Sequence, residues 1–289
     1  KVETSIIKYD LAFDVNDKIK LNGIVDYNRN KGYGSSIDQA KREVGSASLL
    51  LSHLVTDKWD YNASIRQEVT DNFGNPFLFS FGTRYQFTDY YRVKLNASKN
   101  FRMPTYNDLF WEGSGNPDLK PETSKNLELG MYFTNNSNFD FNITGFFSEI
   151  EDKIMTGNAE LRCNTDTNKQ QCEDYMLSVG TPWTMDYNRG APDTWNVTRP
   201  INAEEAEVYG IETGLNWEFA ENWKLGLNYT WTETEIKDKQ LNNPVLNDTP
   251  KHMANASLKW QAADFVNLWA RGEYRSERAR FTSNYENLT

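Results

Sequence analysis

The chain has 289 residues, with 31 basic and 41 acidic side chains and a formal net charge of -10. That balance excludes a nucleic-acid partner, which needs a basic face. Aromatic residues make up 14% of an otherwise polar composition, which excludes a disordered chain, and no run approaches the roughly 18 apolar residues of a membrane-spanning helix.

Period two begins almost at once. Ile7, Tyr9, Leu11, Phe13 and Val15 alternate with Lys8, Asp10, Ala12 and Asp14. After Asn16-Asp17 the pattern resumes as Ile19, Leu21, Val25 and Tyr27 against Lys20, Asn22, Asp26 and Asn28. This predicts a β-hairpin with one apolar and one polar face. Residues 30–43 are polar and read as a loop, and Asp57-Lys58 as a tight turn. Phe77, Phe79, Phe81 and Tyr85 then alternate with Ser80, Gly82, Arg84 and Gln86, and after Thr88-Asp89 come Tyr91, Val93, Leu95 and Ala97. Residues 101–122 form a second long loop, 135–138 a turn, and 153–203 a third long loop. Tyr209, Ile211, Leu215, Trp217 and Phe219 make a strand that turns at 220–222 into Trp223, Leu225, Leu227, Tyr229 and Trp231. A loop at 237–250 leads to a final pair of strands around a turn at 262–264, and the residues from 276 to 289 read as another loop.

The pattern predicts about 12 strands of about 10–13 residues each, longer than the roughly 5–6 of ordinary globular strands. No helical segment between them is long enough to cover the apolar faces. A β-sandwich would bury those faces against each other; a membrane barrel buries them in lipid and leaves the polar faces in a wet lumen. Two features favour the barrel. Tight turns alternate with long loops, 70–75 being the exception, and aromatics gather beside the tight turns: Trp59, Phe87, Tyr90, Trp217, Phe219, Trp223, Trp260 and Phe265.

The two cysteines, Cys163 and Cys172, lie in RCNTDTNKQQC with no histidine near them, so a zinc site lacks ligands. The expectation is a short disulfide across a polar loop, which implies an oxidising compartment; two unrelated thiols is the alternative. His53 and His252 both fall on the apolar register and read as interfacial rather than catalytic. Ser52 adjoins His53 but points to the opposite face and cannot partner it. With no catalytic, nucleotide or metalloprotease motif present, the chain does not read as an enzyme and no cofactor is expected.

The run KNFRMPTYNDLFWEGSGNPDLKPETSKNLELGMYF (residues 99–133) resembles the barrel segment of TonB-dependent outer-membrane receptors. It has their R-x-P start, GNPDLKPE run and E-x-G strand in that order. AEVYGIETGLNWEFAENWKLGLNYTWTETE (residues 206–235) followed by DTPKHMANASLKWQ is similar to the family's "GIE" hairpin and "P-x-H" strand start, and GFFSEIEDKI to one of its strand ends. The likeness covers most of residues 80–275. Within the family, the loop aromatics and the cysteine pair are most like ferric catecholate siderophore receptors of the enterobactin and colicin I type.

The resemblance implies a 22-stranded antiparallel transmembrane β-barrel in the outer membrane. The barrel would surround a plug whose TonB box couples transport to the inner-membrane proton gradient. The chain would supply the middle and later strands, with the plug and terminal strands outside it, and the mature start and any targeting segment outside it too. Lipid and lipopolysaccharide would surround it, and bacteriocins or phage could dock on it.

A ferric tris-catecholate is a trianion with aromatic flanks, which asks for cations and flat rings. Candidates in residues 101–122 are Arg102, Tyr106, Phe110 and Trp111. Residues 153–203 offer Arg162, Tyr175, Trp183, Tyr187, Arg189, Trp195 and Arg199, and the last loop Arg275, Arg278 and Arg280. The NPDLKPE run is expected to aim the following strand rather than bind ligand. The same scaffold carries cobalamin or haem, but haem would want a loop histidine, and none is there. A passive porin and a soluble all-β binding module are the readings from other classes.

Overall fold

The computed structural model describes residues 1–34, 37–111, 115–135, 138–163, 193–237 and 249–278, without the side chains of 37–39, 158–163 and 193–198. Among the described residues, twelve strands form one antiparallel sheet in strict chain order. They are β1 (Val2–Asn16), β2 (Ile19–Gly34), β3 (Ile37–Thr56), β4 (Trp59–Thr70), β5 (Phe77–Gln86), β6 (Tyr91–Arg102), β7 (Glu122–Thr134), β8 (Phe139–Cys163), β9 (Asp193–Ala220), β10 (Trp223–Lys237), β11 (His252–Ala263) and β12 (Val266–Arg275). A five-residue helix, α1 (Tyr106–Phe110), lies between β6 and β7.

The tight turns stand where the pattern puts them, because short polar side chains close them. Asn16 Oδ1 accepts from the amides of Lys18 and Ile19, and Asn135 Oδ1 from those of Asn138 and Phe139. Thr88 Oγ1 does the same for Tyr90 and Tyr91.

Strand length departs from expectation. The longest strands run to 25 and 28 residues; the loop expected at 30–43 is largely strand, and of the one expected at 153–203 the two ends, 153–163 and 193–203, are strand, residues 164–192 lying outside the described residues. β2 and β3 stay paired through Gly32↔Ala40, with a further contact at Gly34↔Ile37, and β8 and β9 pair out to Cys163↔Asp193. The reason is physical. Alternation of polar and apolar residues records only the part of a strand that has lipid on one side. Beyond the membrane both faces are wet, so the alternation vanishes while the hydrogen-bonded ladder continues.

The faces are sharply different. Val25, Leu49, Phe79 and Leu127 point outward and are exposed, whereas the inward Asp26 is buried against Ser46 (2.5 Å) and Arg66 (3.0 Å). A lipid-facing band is readable from its aromatic borders. Nine residues separate Phe139 from Phe147 on β8, Trp217 from Tyr209 on β9 and Trp223 from Trp231 on β10, counting both ends. That matches the roughly 9–11 residues of a tilted membrane strand. At the lower border Phe139, Trp217, Phe219, Trp223 and Trp260 form a chain of ring contacts, Trp223 and Trp260 stacked with centroids 5.0 Å apart. His53 Nδ1 lies 3.0 Å from the Tyr61 hydroxyl and His252 Nδ1 2.9 Å from that of Tyr229, both on the outward register.

Candidate ligand-binding site

The fully buried Pro104 and a cluster of buried apolar side chains lie not between sheet layers but in and beside the connection from β6 to β7, at the loop end. Thr105 caps α1 with a reciprocal pair: its Oγ1 accepts from the Asp108 amide at 3.1 Å, and Asp108 Oδ2 accepts from the Thr105 amide at 2.8 Å. Leu109 of the helix packs with Leu119, Ile154 of β8 and Phe73 from the β4–β5 turn. Thr70 shapes that turn, accepting from the Phe73 amide and donating to the Gly74 carbonyl, with Gly74 at a φ of 79°.

The connection is fastened on two sides. Toward β7–β9, Arg102 forms a two-pronged ion pair with Glu122, both contacts at 2.7 Å. Glu122 also accepts from the Ile154 amide at 2.7 Å and faces Lys153 Nζ at 3.2 Å. Burial pushes the Glu122 carboxyl upward, but the Arg102 and Ile154 hydrogen bonds and the nearby Lys153 outweigh it and hold it below the usual carboxylate range. Asn202 of β9 accepts from the Lys120 amide (2.8 Å) and donates to the carbonyls of Lys120 and Asp152, and Asn116 donates to the Pro200 carbonyl (2.9 Å). The NPDLKPE run therefore does aim β7.

Toward β2–β3 the fastening is aromatic. Arg42 donates to the Pro104 carbonyl at 2.6 Å, its guanidinium between the rings of Tyr106 (5.0 Å) and Phe73 (5.3 Å). The Tyr106 hydroxyl donates to the Asn30 carbonyl, and its ring lies so close to Gly32 that a Cβ there would come within 3.2 Å. The connection thus spans the inner side of the sheet from β3 to β9, above the short β4–β5 hairpin. Below it, the lumen wall has a polar cavity of about 320 Å³ lined by Asn62, Gly82, Asn96, Asn126 and Glu128.

The sequence candidates separate accordingly. Arg102 and Tyr106 are engaged in fastening the connection. Phe110 and Trp111, at the end of α1, keep 42% and 49% of their surface exposed. Arg199 is half-buried on β9 opposite Gly157, its Nε without a hydrogen-bond partner among the described residues. Arg275 is paired with Glu273, and Arg278 lies half-buried just past β12. Tyr175, Trp183, Tyr187, Arg189, Arg280 and Cys172 lie outside the described residues, as do the side chains of Arg162, Cys163 and Trp195. Sequence reading missed Arg42 and Asn202, since both sit in stretches that look like loops.

Comparison with known proteins agrees with this geometry. A family described as TonB dependent receptor-like, beta-barrel matches residues 7–289. A vitamin B12 transporter, BtuB, from Photobacterium profundum is 26% identical over 93% of this chain and 38% of its own length. An iron-regulated outer membrane virulence protein from Vibrio cholerae is 31% identical over 64% of this chain and 26% of its own. A ferric enterobactin receptor variant (PfeA) from Pseudomonas aeruginosa, solved with enterobactin, superposes with a TM-score of 0.75 at 18% identity, covering 100% of this chain and 45% of that one. The chain spans less than half the length of each.

Proposed function

The chain belongs to the TonB-dependent receptor β-barrel family, a family of the Gram-negative outer membrane, and we propose that its protein imports a ferric siderophore, of the catecholate class, by TonB-coupled active transport. The observation that carries this reading is the fastened β6–β7 connection. It stands as a rigid cap on the inner side of the loop end and presents Phe110 and Trp111 exposed, flat surfaces suited to a catecholate ring. The likeness to a receptor solved with enterobactin supports the same class. Iron enters this scheme as cargo, held by the chelate and not by protein ligands. The energy would come through a plug and a TonB complex, partners expected of the whole receptor.

A second reading has its own support: the same scaffold importing a cobalamin, since a vitamin B12 transporter matches 93% of the chain. Titrating the full-length protein in detergent with ferric enterobactin, a ferric hydroxamate and cyanocobalamin, followed by Trp fluorescence, separates the two. Saturable sub-micromolar quenching by the catecholate alone is expected. A response to cyanocobalamin alone would replace the siderophore reading with the second, and silence toward all three from folded protein would end both.

A further inference from the structure

The outward face above the lipid band carries charge, and its sign changes around the sheet. On β2 and β3 the inner positions are fixed by Gly32 and Arg42, which meet the β6–β7 connection. Their odd-numbered neighbours therefore face out. Tyr27 ends the apolar run on β2, and the next two outward positions are Arg29 and Lys31. Across the ladder they stand opposite Glu43 and Lys41. Glu43 is shared by Arg29 (3.3 Å) and Lys41 (2.7 Å), while Lys31 has no carboxylate within 4 Å among the described residues. On β1, Glu3 stands opposite Lys31 and is paired with Lys1, so four cations stand with two acids on the lipid-facing side, at the level where membrane gives way to water.

The same level on β8–β10 is the reverse. Above Phe147, Tyr209 and Trp231 the outward positions are Glu149 and Glu151, Glu207 and Glu205, and Glu233 and Glu235, followed by Lys237. Lys125 bridges Glu149 and Glu151, Lys237 bridges Glu205 and Glu207, and Lys251 pairs with Glu233, so three cations sit among six acids. In a chain of net charge -10, the basic patch on β2–β3 is a local exception.

From this we infer that Arg29, Lys31 and Lys41 form a docking site for the phosphate groups of a phosphorylated glycolipid of the outer leaflet, its acyl chains lying along the apolar band beneath. The position commits the occupant. A free anion would have no reason to meet cations on a lipid-facing wall, whereas a lipid whose tails lie against Val25 and Leu49 carries its headgroup to this height. Each cation near an anionic lipid surface strengthens such contact by roughly fivefold at low salt, and the acidic rim on β8–β10 repels the same headgroup. The inference rests on the outer-membrane placement, not on the identity of the imported ligand.

The test uses the full-length receptor in nanodiscs containing lipopolysaccharide or the same lipopolysaccharide after phosphatase treatment, with bound glycolipid counted by native mass spectrometry. The R29Q/K31Q/K41Q variant is expected to lose retention of the phosphorylated form roughly tenfold or more. Its ferric enterobactin titration should be unchanged. Lys31→Gln alone, which breaks no salt bridge within 4 Å and leaves Glu3 paired with Lys1, should show a smaller loss in the same direction. K125Q/K237Q, on the acidic rim, should retain glycolipid fully. Equal retention by the triple variant, equal retention of the dephosphorylated form, or displacement by millimolar inorganic phosphate alone would each overturn the assignment, the last by pointing to a free-phosphate site.

Discussion

The β6–β7 connection is held by two unlike hands. Its β7–β9 side is ionic and amide-bonded, with Glu122 gathering Arg102, Lys153 and the Ile154 amide while Asn202 clasps Lys120 and Asp152. Its β2–β3 side is a cation between two rings, with a carbonyl and one tyrosine hydroxyl. Directional bonds to a buried carboxylate fix position sharply and fail abruptly when a partner is lost. A stacked guanidinium tolerates sliding. The contrast makes the β7–β9 side the anchor and the β2–β3 side the weaker of the two fastenings.

Removing the anchor's centre has the largest expected effect. Glu122→Ala strands Arg102, Lys153 and an amide together and should cost about 2–3 kcal/mol locally, a value discounted because Arg102 is half-exposed. Hydrogen–deuterium exchange over residues 103–121 would quicken, with the exchange of β10–β12 unchanged. Protonating the same carboxyl works in the same direction. Its folded pKa is depressed, so its contribution is complete above the unfolded value of about 4.3 and is lost as pH falls through the folded value. Exchange at 115–122 should therefore rise only as pH falls below the ordinary carboxylate range, while the contact of Tyr106 with β2, which involves no carboxylate, holds. Opening on both sides at once would mean that the two fastenings are not independent.

Asn202→Ala removes three hydrogen bonds from a partly exposed site, worth about 1–2 kcal/mol, and protease nicking near Lys120 should report it. Arg42→Gln loses both ring contacts and the bond to Pro104, about 1 kcal/mol. Arg42→Lys should recover little of it, because an ammonium does not stack. The smallest structural effect is expected from Trp111→Ala. That change should leave exchange at 103–121 unaltered and weaken chelate binding about fivefold or more. An unaltered affinity would remove Trp111 from the proposed ligand surface.

How much of this was legible in the residues depends on where water lies. The twelve strands, the tight turns at Asn16, Thr88 and Asn135, and the lower aromatic border follow from local rules: period two, short side chains closing a turn, and rings at an interface. The strand ends were misread at 30–43, 153–163 and 193–203, since above the membrane no solvent asymmetry marks the ladder. Of the candidate site, Phe110 and Trp111 were legible only as aromatics in a polar loop, and Phe110 stacks on Tyr106. The roles of Arg102 and Tyr106 were not, because their partners Glu122 and Asn30 lie 20 and 76 residues away.

By itself, then, the sequence determined a long-stranded antiparallel sheet with one face for lipid and one for water, because alternation follows from the pleat. Only the tertiary structure decided that the β6–β7 connection folds inward, that Arg42 reaches across two intervening strands to hold it, and that the charges above the band sort into a basic and an acidic rim. Each depends on register between strands distant in the chain, and register is set by the whole ladder, not by any one segment of it.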